Sequence, residues 1–235
     1  MISALPIAGG SACGVAAMAW AVRGRASAVF GPSVWRGPRE RRAVALTFDD
    51  GPSEDTPRIL EILAAHGVPA TFFPCGANVA RLPAVARAVA QARHEIGNHG
   101  YAHPLCCFRS SRFIEADMAR AQQVILEHTG LRPVWFRAPY GVRWFGMRRA
   151  QRRLRLQGVT WTVMGYDWNS RAEAIVERMG RSVSNGAILC LHDGRELRTQ
   201  PQIGATIEAV RRLLPLLLER GYRLETVSQL LCPTT

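Results

Sequence analysis

Short apolar runs alternate along the chain with segments whose apolar residues recur at helical spacing. The runs predict strands at Ala43–Phe48, Ala70–Phe73, Glu95–Gly97, Val134–Arg137, Val159–Met164, Ala187–Leu191 and Arg223–Val227. Helices fall between them. Thr56 reads as the cap of the first, with Pro57 in its opening turn and Gly67 at its end. The next spans Pro83–Arg93, and Phe113–Thr129 follows the caps Ser110 and Ser111 and stops at Gly130. Phe145–Leu156, Arg171–Val183 and Thr206–Arg220 complete the set, with Pro215 expected to kink or shorten the last.

Strict alternation of strand and helix argues for a parallel sheet. The chemically loaded residues Asp49, Asp50, His99, Arg137, Asp167 and His192 sit at the C-terminal ends of these strands. In a (β/α) barrel that rim is where sites are built. No GxGxxG and no single switch-point cluster favours an open doubly wound sheet. The expected fold is α/β: a distorted (β/α) barrel of about seven parallel strands with its active site at the C-terminal rim.

At 235 residues the chain suits one large domain. That domain is expected over residues 43–232, after a Gly-, Pro- and Arg-rich connector at 26–42 and an apolar N-terminal segment at 1–25. Met1 to Val22 carry no charged side chain, and Arg23 and Arg25 follow. Three readings of this stretch stand: a membrane anchor, a cleaved secretion signal, or an apolar helix. Ala26-Ser27-Ala28 has the look of a cleavage box, but it lies beyond the two arginines. Those arginines favour a cytoplasmic C-terminal side, against the cell-envelope location that the chemistry below suggests.

The formal charge is +12, and it is wholly arginine because the chain has no lysine. A basic surface favours anionic partners such as envelope polymers or lipid headgroups. No zinc-finger spacing, RNP-like motif or P-loop accompanies it, so nucleic acid is not favoured. Arg148, Arg149, Arg152, Arg153 and Arg155 make one basic helix face, which reads either as a solvated surface or as a dock for anionic polymer or lipid. The six cysteines form no CxxC pair and read as free thiols. No feature assigns an oligomeric state.

Thr47-Phe48-Asp49-Asp50-Gly51-Pro52 puts two carboxylates at the end of an apolar strand. Adjacent strand residues point in different directions, and a fold tolerates two like charges mainly where a cation or a reaction uses them. His99 and His103 stand four apart, which would place both imidazoles on one face of a helical turn. One carboxylate and two imidazoles suit a three-ligand divalent metal site with a position left open. Zinc is the default from that donor set, while cobalt, nickel or manganese could serve. Asn98 is positioned to orient the first histidine. Arg137, before Ala138-Pro139-Tyr140-Gly141, is placed to pair with a carboxylate, and the turn could offer a backbone N–H to an oxyanion. His192 on the same rim as Asp167 is a credible general acid.

TFDDG at Thr47–Gly51, HxxxH at His99–His103, RxPYG at Arg137–Gly141, DW at Asp167–Trp168 and a histidine after an apolar strand at His192 appear in this order. In this the chain resembles the polysaccharide deacetylases with a chitooligosaccharide-deacetylase homology domain, the family-4 carbohydrate esterases, from about Ala43 to Leu231. The resemblance implies a metal-dependent hydrolase that removes N-acetyl groups from an N-acetylglucosamine-containing glycan and releases acetate. An O-acetyl esterase or a non-catalytic glycan-binding relative is the alternative. By the same resemblance Asp50, His99 and His103 hold the metal and Asp49 is the base. Arg137 fixes Asp49, Asp167 tunes the acid His192, Tyr140 offers its backbone N–H, and Pro139, Tyr140, Trp168 and Leu191 meet the substrate.

Three positions depart from the family pattern. Gly100 replaces a Ser or Thr expected to brace the histidine loop, and Met164 replaces the first Asp of DxxDW. Cys190 replaces a leucine expected to wall the acetyl pocket, which implies a roomier pocket and tolerance of longer acyl groups.

Overall fold

The computed structural model describes residues 7–232. In chain order the elements begin with α1 (Ile7–Arg23), β1 (Ser33–Val34), β2 (Ala43–Asp49), α2 (Thr56–Ala65), β3 (Thr71–Phe73) and α3 (Gly76–Arg81). Next come α4 (Pro83–Gln91), β4 (Glu95–Ile96), α5 (Ser111–Thr129), β5 (Trp135–Phe136), α6 (Met147–Leu154) and β6 (Gln157–Val159). The chain closes with β7 (Val163–Met164), α7 (Ala172–Ser182), β8 (Ile188–His192), α8 (Gly204–Glu219), β9 (Arg223–Glu225) and α9 (Val227–Leu231).

All the named strand pairings are parallel. They form one sheet ordered β4-β3-β2-β8-β7, with β9 beside β2, and a second ordered β1-β6-β5. A single bridge between Asn98 and Phe136 joins the sheets on one side. On the other, residues 157–164 pass from one sheet to the other. The result is a (β/α) barrel distorted where its sheets meet.

That passage explains why the strand expected at Val159–Met164 is two strands. Thr160 donates its N–H to Val34, whereas Thr162 donates its N–H to Ile188, so the segment changes partner midway. The expected strand at Arg223–Val227 ends at Glu225, because Thr226 and Gln229 form a capping box that starts α9. Thr56 does not cap α2: Asp55 holds that position and the Thr56 hydroxyl serves elsewhere. Pro215 does not shorten α8, which runs through it to Glu219.

Side-chain alternation on β2 sorts the core. Val44, Leu46 and Phe48 pack with Phe72, Leu189, Leu191 and the helices, while Ala43 and Ala45 pack with Phe73 and Ile188 inside the barrel. Thr47 and Asp49 share the inward parity of Ala43 and Ala45, so the strand delivers its polar residues to the barrel mouth.

The N-terminal segment does not lead away from this domain. Residues 1–6 of the expected anchor lie outside the described residues. Within them, Ala21 and Val22 are buried in a cluster with Phe136, Val142 and Met147. The expected connector also contributes β1, which pairs with β6. Among the described residues no helix is long and apolar enough to cross a membrane. The basic face on α6 is partly engaged: Arg153 pairs with Glu115 at 2.7 Å, and Arg148 donates to the carbonyls of Ala28 and Val29.

Candidate active site

Parallel register sets Asp49 directly beside His192 on neighbouring β2 and β8. Their side chains therefore leave the barrel at the same height. Asp49 is buried, and its Oδ1 accepts a hydrogen bond from Arg137 Nη1 at 2.7 Å. Arg137 is fully buried, which is costly for a cation unless its donors are used. It donates also to Thr47 Oγ1 at 2.8 Å and the Thr160 carbonyl at 3.0 Å, with its guanidinium 4.2 Å from the centre of the Phe73 ring. The Asp49 carboxylate is thus clamped from behind by a group that does not line the cavity.

On the other wall, His192 Nδ1 bonds Asp167 Oδ1 at 2.8 Å. Burial opposes charge on this imidazole, but Asp167, with Asp50 and Asp49, overrides it and lifts the pKa to about 9. Asp167 also accepts from the His192 backbone N–H and, at 2.7 Å, from Thr206 Oγ1. With Met164 in place of an aspartate, Thr206 supplies a partner that the sequence did not suggest. The Trp168 ring stands edge-on to His192, with centroids 5.1 Å apart.

Asp50 follows the strand in the left-handed region, with φ 71°, which turns its side chain away from that of Asp49. His99 Nε2 lies 3.3 Å and His103 Nε2 3.0 Å from Asp50 Oδ1. That oxygen is buried and has no hydrogen-bond partner in the usual sense, so two imidazole nitrogens converge on an unsatisfied carboxylate oxygen. This donor set fits a divalent cation. His99 Nδ1 is 2.8 Å from the Arg137 carbonyl, which fixes the ring with Nε2 inward. Burial raises the carboxyl pKa of Asp50, but the imidazoles of His103 and His99 beside it hold it well below the usual range.

The two histidines lie on a loop rather than a helical turn, and His103 itself has φ 49°. Asn98 holds this loop and not the ring: its Oδ1 accepts from Gly100 N–H at 2.8 Å while its amide donates to Met118 and Gln122. Asp117 on α5 completes the brace, accepting from the N–H groups of Tyr101 and Ala102 at 2.9 and 3.0 Å. Gly100 has φ 77°, and a Cβ there would sit 2.6 Å from Asp117 Oδ2. A serine at this position would therefore push on the brace instead of adding to it.

Other supporting groups also escaped the sequence reading. Asn78, on the unanticipated α3, donates to the carbonyls of Asp50 and Glu196, both at 2.7 Å. Glu196 gives its N–H to Asp50 Oδ2 at 2.9 Å and accepts from the Tyr140 hydroxyl at 2.8 Å. Thr56 spends its hydroxyl on Asp193 Oδ2 at 2.7 Å. Asp193 is buried beside Gly51, where any Cβ would collide with its carboxylate, and burial pushes its pKa up to about 7. No local pattern announces these residues, since each acts on a segment far along the chain.

These groups surround a cavity of about 700 Å³ lined by Asp49, Asp50, His99, His103, Tyr140, Trp168 and His192. Arg137 and Asp167 stand behind it. Pro139 is buried beside the lining without joining it. Leu191 faces the helices, not the cavity, because it has the outward parity on β8. Cys190 has inward parity but lies fully buried beneath Asp49, with Sγ 3.4 Å from Asp49 Oδ2. Its thiol therefore does not widen the acyl pocket. Burial and the Asp49 charge push its thiol pKa well above the ordinary value. All six cysteines are free, and Cys106 and Cys107 do not join the Asp50–His99–His103 group.

Residues 36–159 match the family model for polysaccharide deacetylase. The chain belongs to the polysaccharide deacetylase family. A peptidoglycan-N-acetylglucosamine deacetylase of Bacillus cereus is 34% identical, over 84% of this chain and 92% of the relative. A chitooligosaccharide deacetylase of Sinorhizobium fredii is also 34% identical, over 80% of this chain and 91% of the relative. The crystal structure of a CE4 family pseudoenzyme from Bacillus anthracis superposes with a TM-score of 0.77 at 29% identity, covering 84% of this chain and 68% of that one. For this polysaccharide deacetylase the family match stops short of Asp167 and His192, so the His192 wall rests on the geometry above.

Proposed function

We propose that this polysaccharide deacetylase hydrolyses the N-acetyl group of an N-acetylglucosamine-containing glycan, releasing acetate and a free amino sugar. The observation that carries the reading is one cavity with a clamped carboxylate on one wall, a protonated imidazole on the other, and Asp50, His99 and His103 converging between them. Those three residues would hold a divalent ion, zinc by donor type, and such an ion supplies Lewis acidity toward the acyl carbonyl and the attacking water.

The remaining work falls to the protein's own groups. Asp49 takes a proton from the attacking water, and the Arg137 hydrogen bond holds its carboxylate in place. Tyr140, with φ 58° at the cavity wall, presents its backbone N–H to the developing oxyanion. His192 donates its Nε2 proton to the departing nitrogen, since Nδ1 is engaged by Asp167. Amines are poor leaving groups without a proton, so a histidine held protonated to about pH 9 favours amide over ester substrates. Trp168 walls the acyl group from the side.

A pseudoenzyme shares the fold, so turnover has to be argued from the site. Asp49, Arg137, His192 and Asp167 make a complete base and acid pair, which a pure binding module does not need. The envelope is the proposed place of action, supported by the peptidoglycan-directed name of a relative and the arginine-rich surface. The test incubates the protein with N- and O-acetylated glycans, with and without chelator, and follows acetate and free amine. Metal-dependent amine release that vanishes in Asp49→Asn is the expected result; binding without release, or release of O-acetyl groups only, refutes it.

A further inference from the structure

Beside the catalytic cavity lies a second hollow of about 400 Å³. The two share Arg23, Tyr140, Gly141, Trp161, Met164 and Tyr166, so the hollows adjoin. Their charges differ. The first mixes Asp49, Asp50 and Glu196 with Arg23, Arg195 and Arg198, whereas the second carries Arg23, Arg25 and Arg178 and no carboxylate.

Among the described residues none of these three arginines has a salt-bridge partner. Each is instead steadied by a backbone carbonyl: Arg23 by Tyr140, Arg25 by Thr162 and Arg178 by Gly165. Arg25 also stacks on Trp35 at 5.7 Å and Arg178 on Tyr166 at 5.3 Å. Such contacts occupy one of the five N–H donors of each guanidinium and leave the rest of the fork for a ligand. Three like charges around one hollow repel each other, and an anion relieves that repulsion.

Arg23 and Arg25 precede the part of the chain that matches the family model. Their segment is fixed in place by the buried Arg143, which gives its N–H to Val22 at 3.0 Å, Nη1 to the Ser27 carbonyl at 2.9 Å, and Nη2 to Gly24. The N-terminal segment is thus part of the cavity wall.

We propose that the second hollow is a subsite for an anionic oxyacid group, phosphate or carboxylate, carried on the glycan next to the sugar that is deacetylated. This rests on the function proposed above and narrows its substrate to an anionic glycan. Three unpaired guanidiniums exceed the charge of a single carboxylate, which favours phosphate.

The test measures equilibrium binding by calorimetry on the full chain carrying Asp49→Asn to silence turnover. Its ligands are neutral tetra-N-acetylchitotetraose, the same oligosaccharide bearing a 1-phosphate, and an N-acetylglucosaminyl-N-acetylmuramic acid tetrasaccharide. At least about tenfold tighter binding of one anionic ligand is expected, the size of a charged hydrogen bond, shrinking at high salt. Tighter binding of the phosphate form identifies phosphate; tighter binding of the muramic form identifies carboxylate. Adding R25Q or R178Q should remove most of the difference, and because these residues lie on separate elements, undocking of the N-terminal segment cannot account for both. Equal binding of all three ligands, or a preference that survives both substitutions, overturns the subsite. Acetate release by the chain with Asp49 intact, measured in parallel, reports separately on the parent reaction.

Discussion

The two halves of the candidate active site are held by different physics. Asp49 and His192 ride on β2 and β8, where a parallel ladder fixes their height and side-chain parity fixes their direction. His99 and His103 ride on a loop outside the ladder, held by backbone bonds from His99 to Pro74 and from Gly76 and Ala77 to Gly100 and Tyr101, by loop N–H groups donating to Asn98 and Asp117, and by the Arg137 carbonyl. A strand-borne group is positioned by the whole barrel. A loop-borne pair is positioned by a handful of local hydrogen bonds, so it is the more easily disturbed.

The contrast can be broken most forcefully on the strand side. Asp49→Asn should lower kcat/KM by about 10²–10⁴-fold, the usual worth of a general base, and excess metal should not restore it. Arg137→Ala strands the buried Asp49 charge, and urea denaturation should register a loss of about 3–5 kcal/mol. On the loop side, Asp117→Ala should weaken metal affinity by about 10–100-fold, and added metal should recover the rate. If Asp117→Ala is not rescued by metal, the distinction between the halves fails.

Two subtler changes sharpen it. His192 is protonated below its raised pKa of about 9, so kcat/KM should fall as pH rises through that value. Asp167→Asn removes the charge that lifts it, and the alkaline limb of the pH profile should move down toward the ordinary histidine range. Gly100→Ser should cost roughly 1–2 kcal/mol of local strain at φ 77° and lower metal affinity a few-fold, measured by metal titration.

The alternation of apolar runs was enough to place the main strands and helices within a few residues, and Asp49, Asp50, His99, His103 and His192 stood out as groups with a chemical purpose. The misreadings share a cause. The resemblance implies that Leu191 meets the substrate and that Cys190 lines the acyl pocket, yet parity on β8 turns the first outward and depth buries the second beneath Asp49. By the family pattern Gly100 reads as a missing brace, but its positive φ and the nearby Asp117 carboxylate leave no room for a side chain there. Thr56 has the composition of a cap, but its hydroxyl has a better partner in Asp193.

Local patterning determined the elements of this chain and the identity of its reactive groups, because helix and strand periods and side-chain chemistry are written within a few residues. Barrel closure decided the rest. It brought Arg25 to Thr162, Arg137 to Asp49 and Asn78 to Glu196 across long stretches of sequence, and such encounters depend on how the strands are ordered, which no local period encodes.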